Sequence, residues 1–199
     1  VENWNWNLQA FSLLNAGIHP HHGILALATM LAQYCIYCIP VYFILLWFWN
    51  VQCRSNVLQA AFSMLFAILI NGIIRDFWHQ SRPFVLGIGH TYLAHAPDSA
   101  FPSNHMALMW AVGVTFLMIS EMRLMGVLVF ILALLVGWAR IYLGVHFPLD
   151  MIGGMITGTS GAMMLAYWWP SLEQYVLPAS LSLYKKIFAP AIKKKWIKE

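Results

Sequence analysis

Charge is the scarcest feature of this chain. Only 9% of its 199 residues are Asp, Glu, Lys or Arg, against about 25% in an ordinary soluble protein. Eleven basic and seven acidic side chains cannot cover a globule of this length, and 61% of residues are hydrophobic, so the chain must meet lipid. That composition excludes intrinsic disorder and a nucleic-acid module. Three cysteines exclude a disulfide scaffold. Cys35 and Cys38 fall inside an apolar run that would not lower a thiol pKa, so Cys35, Cys38 and Cys53 read as buried free thiols. No solenoid-length repeat and no low-complexity linker divides the chain, so one domain over residues 1–199 is expected. No basic segment leads into an unbroken apolar run within the first twenty residues, and no cleavable signal is expected.

The positions of the missing charges mark the spans. No Asp, Glu, Lys or Arg lies between Glu2 and Arg54, and Gly23 to Trp49 is almost wholly apolar, enough to cross about 30 Å of hydrocarbon. Pro40 should kink this first span. Further spans are expected at about Val57–Ile74, His105–Ser120, Leu124–Tyr142 and Leu149–Trp169. An amphipathic helix over Trp4–Ile18 should lie in the outer interface. The predicted fold is therefore an all-α integral membrane bundle of about five transmembrane helices plus an N-terminal interfacial helix. Trp47, Trp49, Trp168 and Trp169 fall at span ends, as an aromatic belt requires. Gly154 and Gly158 should let a second helix of the same chain approach closely.

The net charge is +4, and six of the eleven basic residues lie between Lys185 and Lys198. Such a tail suits anionic lipid on the cytoplasmic leaflet. With five spans, Arg54, Arg123 and the six lysines share one side, and only Arg75, Arg82 and Arg140 lie on the other. Eight against three places the C-terminus in the cytoplasm. The three exceptions need a reason to sit outside.

Ionisable residues near a bilayer are functional candidates by default, and three clusters share the predicted outer face. The first holds Arg75, Arg82 and Pro83; the second runs Phe101, Pro102, Ser103, Asn104, His105; the third holds Arg140, His146, Pro148 and Asp150. Arginine's planar fork suits phosphate oxygens. Ser103 or Asn104 can cap a helix whose free N–H groups form an anion cradle. His146 and Asp150 are four apart, so the carboxylate can fix the imidazole tautomer while the other ring nitrogen attacks. His105 is then free to act as general acid. Arginines among these histidines repel a cation, which argues against zinc here, and the His19, His21, His22 group is no stronger a metal site. A small anion transporter would need polar residues through the depth of its spans, whereas these charges stop at one rim.

In order and spacing the clusters resemble the three signature motifs of the type 2 phosphatidic acid phosphatase superfamily: Lys-x6-Arg-Pro, Pro-Ser-Gly-His and Ser-Arg-x5-His-x3-Asp. Within it, the chain looks most like the bacitracin-resistance-type undecaprenyl diphosphatases of bacterial inner membranes. The resemblance implies a phosphohistidine mechanism without metal or organic cofactor. His146 would attack, Asp150 would hold it, and His105 would protonate the leaving group. Arg75, Arg82, Arg140 and the Ser103–Asn104 backbone would bind the phosphate. The implied reaction converts undecaprenyl diphosphate to the monophosphate at the periplasmic face, recycling the cell-wall lipid carrier. A phosphatidylglycerophosphate or phosphatidic acid phosphatase, or a lipid A phosphotransferase, would carry the same motifs. Three positions depart from the pattern: Arg75 stands for Lys, Asn104 for Gly and Ala139 for Ser.

Overall fold

The computed structural model describes residues 5–198. Every regular element among them is helical: α1 (Asn5–Leu14), α2 (His22–Tyr34), α3 (Cys38–Trp49), α4 (Arg54–Phe77), α5 (Asn104–Met118), α6 (Arg123–Tyr142) and α7 (Pro148–Lys193). Three stretches, His22–Trp49, Val51–Phe77 and Ser120–Tyr142, are long and apolar enough to cross a membrane, and Asn104–Met118 is a shorter apolar helix. The protein is thus a helical membrane protein.

The bundle is held by small residues at helix crossings. The buried face of α4 recurs at Val57, Ala60, Ser63, Ala67 and Asn71, the three-and-four spacing of one helix stripe. A Cβ at Gly161 of α7 would lie 2.8 Å from the Ala67 nitrogen, and one at Gly158 would lie 2.6 Å from the Ala107 carbonyl of α5. The expected close approach at Gly154 and Gly158 is therefore contact between α7 and α5. Uncharged polar groups do lie within the spans: Ser63 and Thr115 hydroxyls lie 2.9 Å apart, each reaching a carbonyl one turn back. Both are buried, and their mutual bond satisfies them.

Pro40 breaks the first stretch as expected, but the distortion lies a turn upstream. Lacking an N–H, Pro40 cannot bond the Ile36 carbonyl, and Cys35–Tyr37 tighten into a 3-10 turn. The final helix overruns its expected end at Trp169 and continues through Pro170 and Pro178 to a kink at Phe188, where the backbone leaves helical geometry, before a last helical stretch reaches Lys193. Trp169 bonds Ser55, and Tyr184 packs on Trp47 and Phe48, so the distal half of α7 runs across the bundle end. There Arg54, itself buried, donates to the carbonyls of Trp47 (2.9 Å) and Lys198 (2.8 Å) beneath the Tyr184 ring.

At the opposite end α1 is more than an interfacial helix. Phe11 packs edge-on against Phe147 at 5.1 Å, Asn7 accepts from the Leu149 N–H, and Asn15 donates to the carbonyls of His90 and Tyr142. The helix ends at Leu14 rather than near Ile18, and Trp4 lies outside the described residues. The cysteines are free, with Cys35 and Cys53 half-buried and Cys38 exposed rather than buried.

Candidate active site

The turn between α6 and α7 carries the centre of the site. The chain leaves α6 through Gly144, whose φ of +77° is open to glycine and strained for other residues. Pro148 opens α7 in its first turn, where a missing N–H costs nothing. Asp150 then reaches back so that Oδ2 accepts from the Phe147 N–H at 2.8 Å and lies 3.0 Å from His146 Nδ1.

The tautomer of His146 follows from its neighbours. Arg82 Nη1 lies 3.2 Å from Nε2, and a guanidinium can only donate. Nε2 therefore holds a lone pair, and Nδ1 carries the proton that Asp150 accepts. Burial, reinforced by the charges of Arg140 and Arg82, holds His146 well below the ordinary imidazole value. The site thus presents a neutral ring whose attacking nitrogen is unprotonated, with Arg82 resting on it.

Arg82 is fully engaged. It bonds Asp98 through Nε and Nη2 (both 2.9 Å), the Val145 carbonyl (2.9 Å) and the Ser99 carbonyl (3.4 Å). Arg75 donates to the Pro102 carbonyl at 2.8 Å, and Arg140 to the Ala32 carbonyl at 3.2 Å. Arg140 Nη1 also lies 3.3 Å from His105 Nε2, making that nitrogen an acceptor as well. The Nε atoms of Arg75 and Arg140 are buried without a partner, leaving donors for a bound anion.

Ser103 is the N-cap of α5, its hydroxyl accepting weakly from the Met106 N–H at 3.5 Å. The expected cradle needs one correction. The Ser103 N–H already donates to the Asp150 carbonyl at 3.0 Å, so it docks α5 on α7 instead of facing an anion. Asn104 accepts from Asn71 at 2.8 Å, which ties its side chain to α4.

All the motif residues, Arg75, Arg82, Ser103, Asn104, His105, Arg140, His146 and Asp150, gather at this one end of the bundle. Three others join them from the segment 78–103, which forms no helix. Gln80 Nε2 donates to Asp150 Oδ1 at 3.2 Å, Asp98 forks with Arg82, and the His95 ring stands 6.3 Å from that of His146. Burial of Asp98 raises its carboxyl, but the hydrogen bond and charge of Arg82 outweigh this and leave it below the ordinary carboxylate value. Burial lowers His95, with Arg82 and Arg140 adding and the Ala96 carbonyl and Asp98 opposing. Among the described residues no three His, Cys, Asp or Glu converge to hold a metal. His21 instead caps α2, accepting from the Gly23 N–H.

This constellation on a helical membrane scaffold is that of a phosphoryl-handling membrane enzyme class. The profile of the PAP2 superfamily matches residues 56–174, and the chain belongs to that superfamily. It is 32% identical over 196 residues to YbjG of Escherichia coli (strain K12), provisionally named an undecaprenyl-diphosphatase, covering 98% of each chain. It is 30% identical over 152 residues to the undecaprenyl-diphosphatase BcrC of Bacillus subtilis (strain 168), covering 75% of this chain and 77% of that one. Among solved structures it resembles LpxE of Aquifex aeolicus with a TM-score of 0.70 at 24% identity, covering 84% of this chain and 98% of the other. That last likeness concerns the fold.

Proposed function

We propose that the protein hydrolyses undecaprenyl diphosphate to undecaprenyl phosphate through a phosphohistidine at His146, without a metal. The observation that carries this reading is the clamped ring: Asp150 on Nδ1 at 3.0 Å and Arg82 on Nε2 at 3.2 Å. The incoming terminal phosphate draws Arg82 onto its own oxygens and uncovers the Nε2 lone pair. Nε2 bonds phosphorus and the bond to the bridging oxygen breaks. The imidazolium formed keeps its Nδ1 proton and is stabilised by Asp150. Arg140 likewise shifts to phosphate oxygens, and His105 Nε2 takes up a proton beside the anion. It passes that proton to the bridging oxygen as lipid monophosphate leaves. Water then attacks the phosphohistidine, His105 accepts its proton, and inorganic phosphate departs with His146 restored. Arg75, Arg82 and Arg140 supply the charge neutralisation that a metal supplies elsewhere.

Charge distribution supports a site on the periplasmic face, with the chain crossing the inner membrane five times. The fourth and fifth crossings would be α6 and the first half of α7. Arg54, Arg123 and the C-terminal lysines all lie toward the other end, where the tail would rest on anionic lipid. The undecaprenyl assignment draws on YbjG and BcrC. It is tested by phosphate release from purified protein in EDTA, comparing undecaprenyl diphosphate with phosphatidylglycerophosphate and phosphatidic acid. Fast turnover of the prenyl diphosphate, abolished by His146→Ala, is expected. Turnover of the glycerolipids alone would overturn the substrate and keep the chemistry.

A further inference from the structure

Two cavities meet at His105. One, of about 350 Å³, has mixed walls, with Gln33, His95, His105 and Arg140 beside Leu93 and Ala94. The other, of about 580 Å³, is an apolar groove past the 3-10 turn and Pro40, with Ile39, Phe43, Met64 and Leu65 in its walls. Tyr37 and His105 line both. His105, the proton donor to the bridging oxygen in the mechanism above, lines both, so the phosphate beyond that oxygen has room in the first cavity and the chain in the groove.

The lining of that cavity suits an anion. Arg140 is 3% exposed, and its Nε lacks a partner. A buried polar donor without a partner calls for one, and a guanidinium that lines a cavity suits an oxyanion. His95 places Nδ1 3.1 Å from the Ala96 carbonyl, which makes Nδ1 the donor and leaves Nε2 as the unengaged ring nitrogen. A phosphate with a proton to share, or a proton taken up beside it, completes a charge-assisted hydrogen bond there. A glycerol or a plain alcohol offers neither group a charge to meet.

We propose that this cavity is a second-phosphate subsite, in which His95 holds the phosphate that stays on the lipid and Arg140 is shared between it and the terminal phosphate, so that the enzyme selects diphosphate over monophosphate headgroups. The inference rests on the reading above for the lipid; the anion subsite itself can be probed without any lipid. His95 has no place in the superfamily motifs given above, and its role here would be specificity.

The test is calorimetric binding of methylenediphosphonate and of methylphosphonate to the purified full chain in detergent, as wild type and as His95→Gln. Wild type should bind the diphosphonate at least about tenfold more tightly, about 1.4 kcal/mol. His95→Gln should erase that preference while its affinity for methylphosphonate, which also reports an intact fold, stays as in wild type. The proposal is overturned by a wild type without preference or without measurable binding, by a variant that keeps the preference, or by equal weakening of both ligands. Hydrolysis of undecaprenyl diphosphate, run in parallel with His146→Ala, judges the lipid assignment separately: failure there with the diphosphonate preference intact removes the lipid and leaves the subsite.

Discussion

Replacing Asp150 by Asn separates the charge of this residue from its geometry. Asp150 is fully buried and meets three donors: the Phe147 N–H and His146 Nδ1 on Oδ2, and Gln80 Nε2 on Oδ1. Asp150→Ala would strand all three, at about 1–3 kcal/mol each, and would confuse misfolding with lost chemistry. In Asp150→Asn the amide oxygen can occupy the Oδ2 position and keep both of its donors. The new NH2 group then faces Gln80, whose Oε1 is buried without a partner, and a flip of the Gln80 amide pairs them. The fold should tolerate the change with little loss. What disappears is the negative charge facing an imidazolium that forms only during transfer. At about 4 Å between charge centres and an effective dielectric near 20, that interaction is worth about 4 kcal/mol, or about a thousandfold in rate. Phosphate release should therefore fall about 10³-fold while the melting temperature in detergent moves by only a few degrees. A fall of less than about tenfold in a well-folded variant would refute Asp150 as the electrostatic partner of the nucleophile.

The depressed His146 makes a stability prediction with a definite sign. Unfolded, the ring titrates near pH 6.5; folded, burial and then the arginine charges lower it. Below about pH 6.5 the unfolded chain binds a proton that the folded one refuses, so stability declines as pH falls, by up to about 1.4 kcal/mol per pH unit. Melting curves from pH 7.5 to 5 should be flatter for His146→Gln than for wild type, and identical slopes would contradict the burial argument. Gly72→Ala and Gly158→Ala should shift stability in opposite directions. Gly72 has nothing within 4 Å of an added Cβ, whereas Gly158 meets the Ala107 carbonyl at 2.6 Å. The first should gain up to about 1 kcal/mol of helix propensity, and the second should lose about 1–3 kcal/mol to overpacking less that gain. A shift of the same sign in thermal denaturation would mean that α5 and α7 lie further apart. Replacing the exposed lysines 185, 186 and 193–195 by Gln should alter insertion or orientation, read by protease accessibility, and leave the specific activity of correctly inserted protein unchanged. A large fall in that activity would contradict a purely anchoring tail.

The motif residues could be read from the chain because charge is so rare in it that each arginine on the predicted outer face demanded a reason. His146 and Asp150 could be paired because an interval of four has a geometric meaning at a helix start. Gln80, His95 and Asp98 escaped, for they sit in a segment without helical or strand period, where spacing says nothing about what will meet. Asp98 did carry a signal: it is one of only seven acids, and a carboxylate among site arginines has to be answered. The loss of the Ser103 N–H to the Asp150 carbonyl depends on how α5 docks against α7, which only the tertiary structure reveals. The same holds for the length of α7. Pro170 reads as a stop in water, yet a helix pressed against neighbours can bend through it.

His146 and His105 stand in parallel situations. Each ring directs Nε2 at an arginine, at 3.2 Å and 3.3 Å. A donor so placed blocks protonation, repels metal cations and occupies the lone pair, so neither ring is chemically available while that contact holds. In the proposed mechanism one event releases both: an anion that offers oxygens to Arg82 and Arg140. Two buried donors without a partner, Arg75 Nε and Arg140 Nε, can then take phosphate oxygens without breaking a bond, whereas Arg82 must partly exchange bonds to reach them. Asp98 holds Nε and Nη2, and the Val145 carbonyl holds one Nη1 hydrogen, so the hydrogen that faces His146 Nε2 is the one exchanged for the phosphate. Lysine at position 82 could supply the charge but not this division, since one ammonium cannot fork on Asp98 and also cover Nε2. Arg82→Lys should consequently cost more in kcat than in substrate affinity, and a loss confined to KM would mean that Arg82 serves the anion alone.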